Sequence, residues 1–370
     1  MSCNDIRNCR TLSSMLSSCA STVFLCTWAT LHLDVPEDPD EPGTKSLLKR
    51  IGWTIVAFLA PEVILFMALE DWTDSCGYLA EISEKYPNHG WTETHALFAR
   101  MGGFRLVKPD GSKQPLRKAG FIEAVKKGQI DIPKISLKEI QEKSKSDNFA
   151  KIIAVFQTMW FLLQTMNRAV NGYQLTQLEL STSAYVLLYL LISWCWWNKP
   201  VDVRFPIDVR SNANGDSTTA TGEDDNQADK GTDDELQRKR QRLPIRVRMG
   251  AYFAKTGNWT LLKSLFMSIL YLTAGGLFGA IHCLAWKWPC SSNSLWQISA
   301  VYVTVFPDAS LVLAWFLQDH KSGFFITVIL SLVYIAARVS LLVLTFLALR
   351  SLPPGIFFTP SWTIHIPHIG

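Results

Sequence analysis

The chain has 370 residues, 48% of them hydrophobic, and a net charge of +4. That charge is too small, and its basic residues too closely tied to loops, for a nucleic-acid binder. The apolar residues gather into long blocks separated by charged stretches, the pattern of a multi-pass membrane protein rather than of one large soluble core. The 14 Trp residues fit interfacial belts at headgroup level. The 8 Cys show no C-x-x-C spacing, so neither a metal cluster nor a disulfide framework is expected.

The first apolar block runs from Leu12 to Leu33 behind Arg7 and Arg10. It is long for a signal peptide, contains Trp28 and His32, and lacks a small-residue cleavage site, which favours a transmembrane helix. Pro36, Pro39 and Pro42 among acids then mark a loop. The next block, Gly52 to Leu69, is close to the ~20 residues that span a hydrocarbon core. Near its middle sit Pro61, which removes a backbone donor, and Glu62, whose charge at that depth costs about 2.5–3.5 kcal/mol. Two readings of Glu62 stand open: a functional acid, or one half of an ion pair with a cation on another helix.

From Glu70 to Lys151 the sequence is charged and amphipathic, with a turn at Lys108–Gly111 and a capping pattern at Ser136 and Glu139. His89, Trp91 and His95 cluster here without metal-ligand spacing, and interfacial packing is the expectation. Further spans are expected at Ile152–Val170, with Gln157, Gln164 and Arg168 inside, and at Leu178–Trp197. Ser211 to Leu236 is too polar to bury a core and reads as disordered. Arg238 to Arg248 reads as a solvated basic run or a lipid contact. Three more spans follow at about Leu261–Trp286, Leu295–Leu317 and Phe324–Leu349, and an aromatic tail closes the chain. Gly275, Gly276 and Gly279 would let the fifth span approach a neighbour closely.

The expected fold class is all-α: a polytopic membrane helix bundle of about seven transmembrane helices with a partly helical cytoplasmic loop region. Its parts are a transmembrane pair (1–70), a cytoplasmic or interfacial helical loop (71–150), a second pair (151–200), an acidic and basic linker (201–255) and a C-terminal three-helix part with its tail (256–370). Counting every block as a crossing puts both basic loops in the cytoplasm together with the N-terminus, in the endoplasmic reticulum or another endomembrane. Lys45, Lys49 and Arg50 then fall on the wrong side.

The ionisable residues at membrane depth or its edge are Glu62, Arg168, Glu179, His282, Asp308 and Arg338. Desolvation favours the neutral form of a buried acid, which can then donate a proton. An acid in an aromatic-walled, dry cavity suits one chemistry: protonating an olefin or epoxide and steering the carbocation. Glu62 and Asp308 are the candidate donors, with Glu179 and His282 as further catalytic candidates. The opposing readings are helix-to-helix ion pairs for the two donors, an N-terminal dipole or capping role for Glu179, and a packing role for His282. Arg168 and Arg338 would hold a polar head group, with Trp160 and Trp286 in the wall. There is no P-loop, G-x-S-x-G, H-E-x-x-H or Rossmann pattern, and no aspartate-rich stretch to hold magnesium. Neither a cofactor nor a metal is expected, and the expected partners are a lipophilic prenylated small molecule and membrane lipid.

The stretches CTWATLHLDVP (Cys26–Pro36), FLAPE (Phe58–Glu62), MGGF (Met101–Phe104), LTQLELST (Leu175–Thr182), WWNKPVDV (Trp196–Val203) and FGAIHCLAW (Phe278–Trp286) resemble a large group of fungal multi-pass membrane proteins. So does SKSDNFAKIIAVFQTMWF (Ser144–Phe161). That group includes the membrane-bound terpene cyclases of ascofuranone and macrophorin biosynthesis. The resemblance covers nearly the whole chain apart from the acidic linker. It implies a metal-independent terpene cyclase of fungal secondary metabolism, cyclising the prenyl chain of a meroterpenoid. Glu62, Glu179, Lys199, Asp202 and His282 fall in matching motifs. The chain departs at Asp34, where relatives tend to have Asn, and around Ser292 and Gln297, where they tend to show an acid and an arginine. If that acid is the proton donor, the cyclase reading weakens. The other reading is a transporter or receptor-like protein whose buried charges form a gated network, with no enzymatic activity.

Overall fold

The computed structural model describes residues 9–86, 89–117, 119–144, 148–212, 243–249, 259–284, 298–301 and 321–358. Asp308, Trp286, Ser292, Gln297, nearly all of the acidic linker, most of the sixth expected span and the tail beyond Phe358 lie outside these residues.

Thr11 caps α1 (Leu12–Phe24) by accepting from Ser14 N, and the helix widens into a π-turn at Leu25–Ala29. Pro42 precedes α2 (Gly43–Leu59). At Ala60 the backbone leaves the helical region, with φ −143° and ψ 68°, and Pro61 starts α3 (Pro61–Lys85) at the one helical position where a missing N–H costs nothing. The expected straight span over Gly52–Leu69 is therefore two helices, bent by 109°.

The described chain is mostly helical. Three helical stretches, Leu12–Ala29, Gln177–Cys195 and Val328–Ala348, are long and apolar enough to cross a membrane, and the bent pair makes a fourth if it is counted as one span. The expected seven are thus not reproduced among the described residues. The helix α7 (Asn148–Val170) falls outside that set because Gln157, Gln164, Asn167 and Arg168 dilute it. Its Ile152, Phe156, Met159, Leu163 and Met166 are nevertheless exposed along one face, and only 22% of the Val328–Ala348 window is buried. Such apolar surface is a surface for lipid or a partner.

The helix α8 (Gln177–Cys195) is the central post. Against it pack α1, α3, α7 and α9 (Trp259–Leu284), where Gly275 and Gly279 are buried, while α10 (Lys321–Ala348) touches it more sparsely. Its first turn meets Arg10, the end of α7 and residues 356–358, which defines a tail end. Its last turn meets the loops, which defines a loop end. At the loop end, Glu93–Arg100 forms α4, Phe104–Val107 and Lys113–Leu116 form the hairpin β1–β2, and Gly120–Lys126 and Leu137–Lys143 form α5 and α6. Ile207–Arg210 adds β3 parallel to β1, giving the order β2-β1-β3. This sheet has no counterpart in the sequence reading, because its strands are four residues long and too short for a period-2 signal to emerge. Gly111 at φ +80° makes the hairpin turn. Arg246, expected on a solvated run, instead pairs with Glu93 at 3.1 Å and lies over Trp194.

The packing of this layer is tightest at Gly103, where an added Cβ would lie 2.4 Å from the Phe98 ring. Gly103→Ala is expected to destabilise the chain by about 1–3 kcal/mol, the cost of overpacking. A thermal melt of the purified protein in detergent should show a lowered midpoint, whereas Gly120→Ala, which meets nothing within 4 Å, should leave it unchanged.

Candidate functional site

The bend at Ala60 places Glu62 in the first turn of α3, with its oxygens fully engaged. Arg338 Nη2 donates to Oε1 at 2.8 Å, Tyr334 donates its hydroxyl to Oε2 at 2.9 Å, and Arg338 Nε donates to the Tyr334 oxygen at 3.0 Å. Arg338 also lies 3.9 Å from the Phe278 ring centroid. Glu62 and Arg338 are each almost fully buried. Of the two open readings of Glu62, the ion pair with a cation on another helix is present in the structure.

The other sequence candidates at membrane depth are likewise engaged. Glu179 closes a capping box with Thr176 and accepts from Arg10, while Arg168 donates to the carbonyls of Ile356 and Phe358. These contacts knot the tail end and place Arg168 there, away from the lining of the two cavities described below. His282 Nδ1 lies 2.9 Å from Phe278 O, the geometry of a packing histidine. Trp160 is half-buried on α7 and lines neither of the cavities described below. Cys9 is disulfide-bonded, a single bridge where the sequence reading expects no disulfide framework.

Two cavities lie at the loop end. A cavity of about 360 Å³ lies between the π-turn and the last turns of α8, lined by Trp28, His32, Arg50, Lys151, Tyr189, Trp196 and Asp202 among others. A second, of about 340 Å³, shares Trp28, Arg50 and Asp202 with it and opens toward Pro36 and Pro39. Close by, outside both linings, Lys199 is fully buried and donates to Asp71 at 2.7 Å and Asp34 at 3.1 Å. Burial opposes its charge, but Asp71 and Asp34 outweigh burial and hold its pKa above the ordinary lysine value. Trp196 donates its indole N–H to Asp71. Between the cavities, Arg50 donates to Asp202 at 2.6 Å and lies over Trp28. Asp202 takes φ +52°, the one non-glycine residue with positive φ among the described residues, and such an outlier invites a functional reading.

His32 is the distinctive group in this wall. Its ring stacks at a tilt on Trp196, and its Nδ1 lies 2.7 Å from Thr30 O. A carbonyl only accepts, so Nδ1 carries the proton and Nε2 is left with a lone pair. That Nε2 is buried and has no partner. Burial drives the imidazole well below its ordinary pKa, and the nearby charges of Lys151, Lys199 and Arg50 push the same way. The site therefore offers a neutral imidazole base among three cations and an aromatic wall. Lys199 and Asp202 are singled out in the sequence within their motif. His32 and Lys151 also lie in resembling stretches, Cys26–Pro36 and Ser144–Phe161, but nothing in the sequence singles them out there, since His32 only ends an apolar block and Lys151 reads as an ordinary first-turn lysine.

The model of a protein family described as a family of unknown function (DUF8562) matches residues 3–219. That segment contains every residue lining the two cavities, and it stops short of α9 and α10, which carry Phe278, Tyr334 and Arg338. No curated protein and no solved structure matches the chain.

Removing one member of the buried pair strands the other. Glu62→Leu or Arg338→Met alone is expected to cost about 3–5 kcal/mol, while the double substitution should recover most of that loss. A double-mutant cycle on the thermal midpoint in detergent measures it, and additive single losses would show that the pair carries no coupling.

Proposed function

We propose a function for this chain, which belongs to the DUF8562 family of unknown function: it is a membrane-embedded cyclase that closes rings on the prenyl chain of a lipophilic small molecule, with the loop-end cavity as its site. The observation that carries this reading is the unpartnered His32 Nε2 inside an aromatic wall. A protonation-initiated cyclisation takes up a proton at an olefin or epoxide and must lose one from the final carbocation. Trp28, Tyr189 and Trp196 supply π faces for the travelling cation, and His32 supplies the base that takes the last proton. Glu62 is not the donor in this reading, because both of its oxygens are held. Asp308 stays a sequence candidate for that role.

The transporter or receptor-like reading is favoured by a separate observation, the bent helix pair whose elbow bears a buried Glu62–Arg338 pair. The two readings part in one experiment. Microsomes expressing the chain are incubated with a farnesylated phenol and its terminal epoxide. The cyclase reading expects a product of unchanged mass and new retention, at least tenfold reduced in His32→Phe. Absence of any isomer, together with rescue of a transport or signalling output by the charge swap Glu62→Arg with Arg338→Glu, would overturn it.

We infer an orientation from the bend. Arg50, midway along α2, and Asp71 on α3 both reach the last turns and exit of α8, through Asp202 and Trp196. The elbow between them meets Tyr185, which donates to Phe58 O. Tyr185 and Trp196 are about 16 Å apart along a helix rising 1.5 Å per residue. The pair therefore enters from the loop end, turns at depth and returns. With one crossing fewer than the full count, the N-terminus lies on the side opposite the basic loops. Lys45, Lys49 and Arg50, misplaced when each block crosses, now join the other loop-end cations on the cytoplasmic side. The disulfide at Cys9 then lies in an oxidising compartment, where such bonds persist. Glycosylation acceptor tags should be modified at the N-terminus and unmodified within residues 213–236. The converse pattern would restore a cytoplasmic N-terminus.

A further inference from the structure

We infer that the second loop-end cavity, of about 340 Å³, holds the phosphate head group of an anionic phospholipid, with Lys49 and Arg204 on the phosphate oxygens and the acyl chains along the exposed apolar face of α2. This lipid site adjoins the cavity read as the substrate site and does not depend on that reading.

The lining carries three carboxylates, Asp34, Glu41 and Asp202, and three cations, Lys49, Arg50 and Arg204. Each carboxylate already faces a cation. Asp34 takes Lys199 at 3.1 Å, which Asp71 shares, Asp202 takes Arg50 at 2.6 Å, and Glu41 lies 3.7 Å from Lys45. Arg50 is thereby committed. Its other terminal nitrogen donates to the Trp28 carbonyl, and its Nε is buried without a partner. Lys49 and Arg204 are exposed, and neither has a carboxylate partner among the described residues. In the adjoining loop Glu37 pairs with Arg117 at 3.2 Å, while Asp38 and Asp40 stand exposed outside the lining. The cavity is thus left with two uncompensated cations. Arg204 Nη2 lies 3.9 Å from where a Gly43 Cβ would stand, at the start of α2, whose N-cap Pro42 brings no capping side chain. A cation beside the positive end of a helix dipole is unfavourable, and an oxyanion between the two relieves both. Phosphate suits this pair, since a guanidinium grips its oxygens as a fork and an ammonium meets them as a point charge.

The apolar surroundings select the source of that phosphate. Leu47 lines the cavity and is exposed, and Leu48, Ile51 and Ile55 are exposed beyond it. Positions 47, 51 and 55 recur every four residues, so they form one face of α2 that runs from the cavity toward the elbow. Phe205, next to Arg204 in the chain, is exposed as well. Free phosphate gains nothing from that face, whereas a phospholipid lays its chains along it. The loop end is the end assigned above to the cytoplasmic side, whose leaflet carries anionic lipid.

The test titrates three probes into the purified full chain in mild detergent, read by native mass spectrometry: phosphatidic acid, phosphatidylcholine with the same chains, and inorganic phosphate. Phosphatidic acid is expected to bind about tenfold more tightly than phosphatidylcholine, the scale of charge-assisted hydrogen bonds. Excess inorganic phosphate should not displace it. In the double variant Lys49→Gln with Arg204→Gln, phosphatidic acid should fall to the affinity of phosphatidylcholine. Lys45→Gln removes a cation that already faces Glu41 and should leave the preference intact. If the double variant fails to fold, the wild type decides: phosphatidic acid with a photoreactive diazirine early in its chain should label α2 within Leu47–Ile55. Equal affinity for the two lipids, a preference that survives the double variant, an equal loss in Lys45→Gln, or labelling outside that stretch of α2 overturns the inference. Displacement by inorganic phosphate also overturns it and assigns the cavity to a free anion.

Discussion

The architecture depends on one interruption in a backbone hydrogen-bond ladder. Ala60 takes a non-helical conformation and Pro61 restarts the helix, so the apolar stretch from Gly52 to Leu69 bends instead of running straight. A bend at that depth frees backbone groups and exposes a helix N-terminus. The positive end of the α3 dipole then sits where Glu62 does, and an acid in a first helical turn is stabilised there. The guanidinium of Arg338 completes the compensation, and the Tyr334 hydroxyl fills the remaining acceptor. Because the pair turns back, the loop between α1 and α2 and the strand-bearing segment after α8 converge at one end. The cavities lie at that convergence, with Arg50 and Asp202 shared between them.

Much of this was legible in the sequence, and the rest was hidden for identifiable reasons. Pro61 and Glu62 mark a broken rule within an apolar block, and an ion pair of Glu62 with a cation on another helix is one of the two readings the sequence leaves open. The Thr176–Glu179 capping box followed from an acid in a first turn. A hydropathy pattern cannot tell a straight crossing from a bent pair, because both bury the same apolar residues, and the orientation derived from it inherits that ambiguity. The cavity was less legible still. Its wall comes from four separate segments, around residues 28–32, 50, 151 and 189–202, and no local motif encodes their meeting. Charges at membrane depth are the conspicuous ones in a sequence because they are costly, and Glu62, Glu179 and Arg338 each find a charged partner in the structure.

That contrast separates architecture from chemistry in this molecule. A buried charge with a full set of partners is a strut: its energy is committed to holding helices, and moving a proton there would leave its partner exposed to the penalty of an unpaired buried ion. Glu62 with Arg338 and Tyr334, Glu179 with Arg10, and Lys199 with Asp71 and Asp34 are all of this kind. A buried polar atom without a partner is the opposite case, since it pays the desolvation penalty in the resting state and regains it only when something arrives. His32 Nε2 is such an atom, on a residue that lines a space bounded by aromatic rings. Burial first, and then the neighbouring cations, hold its imidazole well below the ordinary pKa, so the cost of this unpartnered atom is carried by a neutral ring beside a wall of π faces.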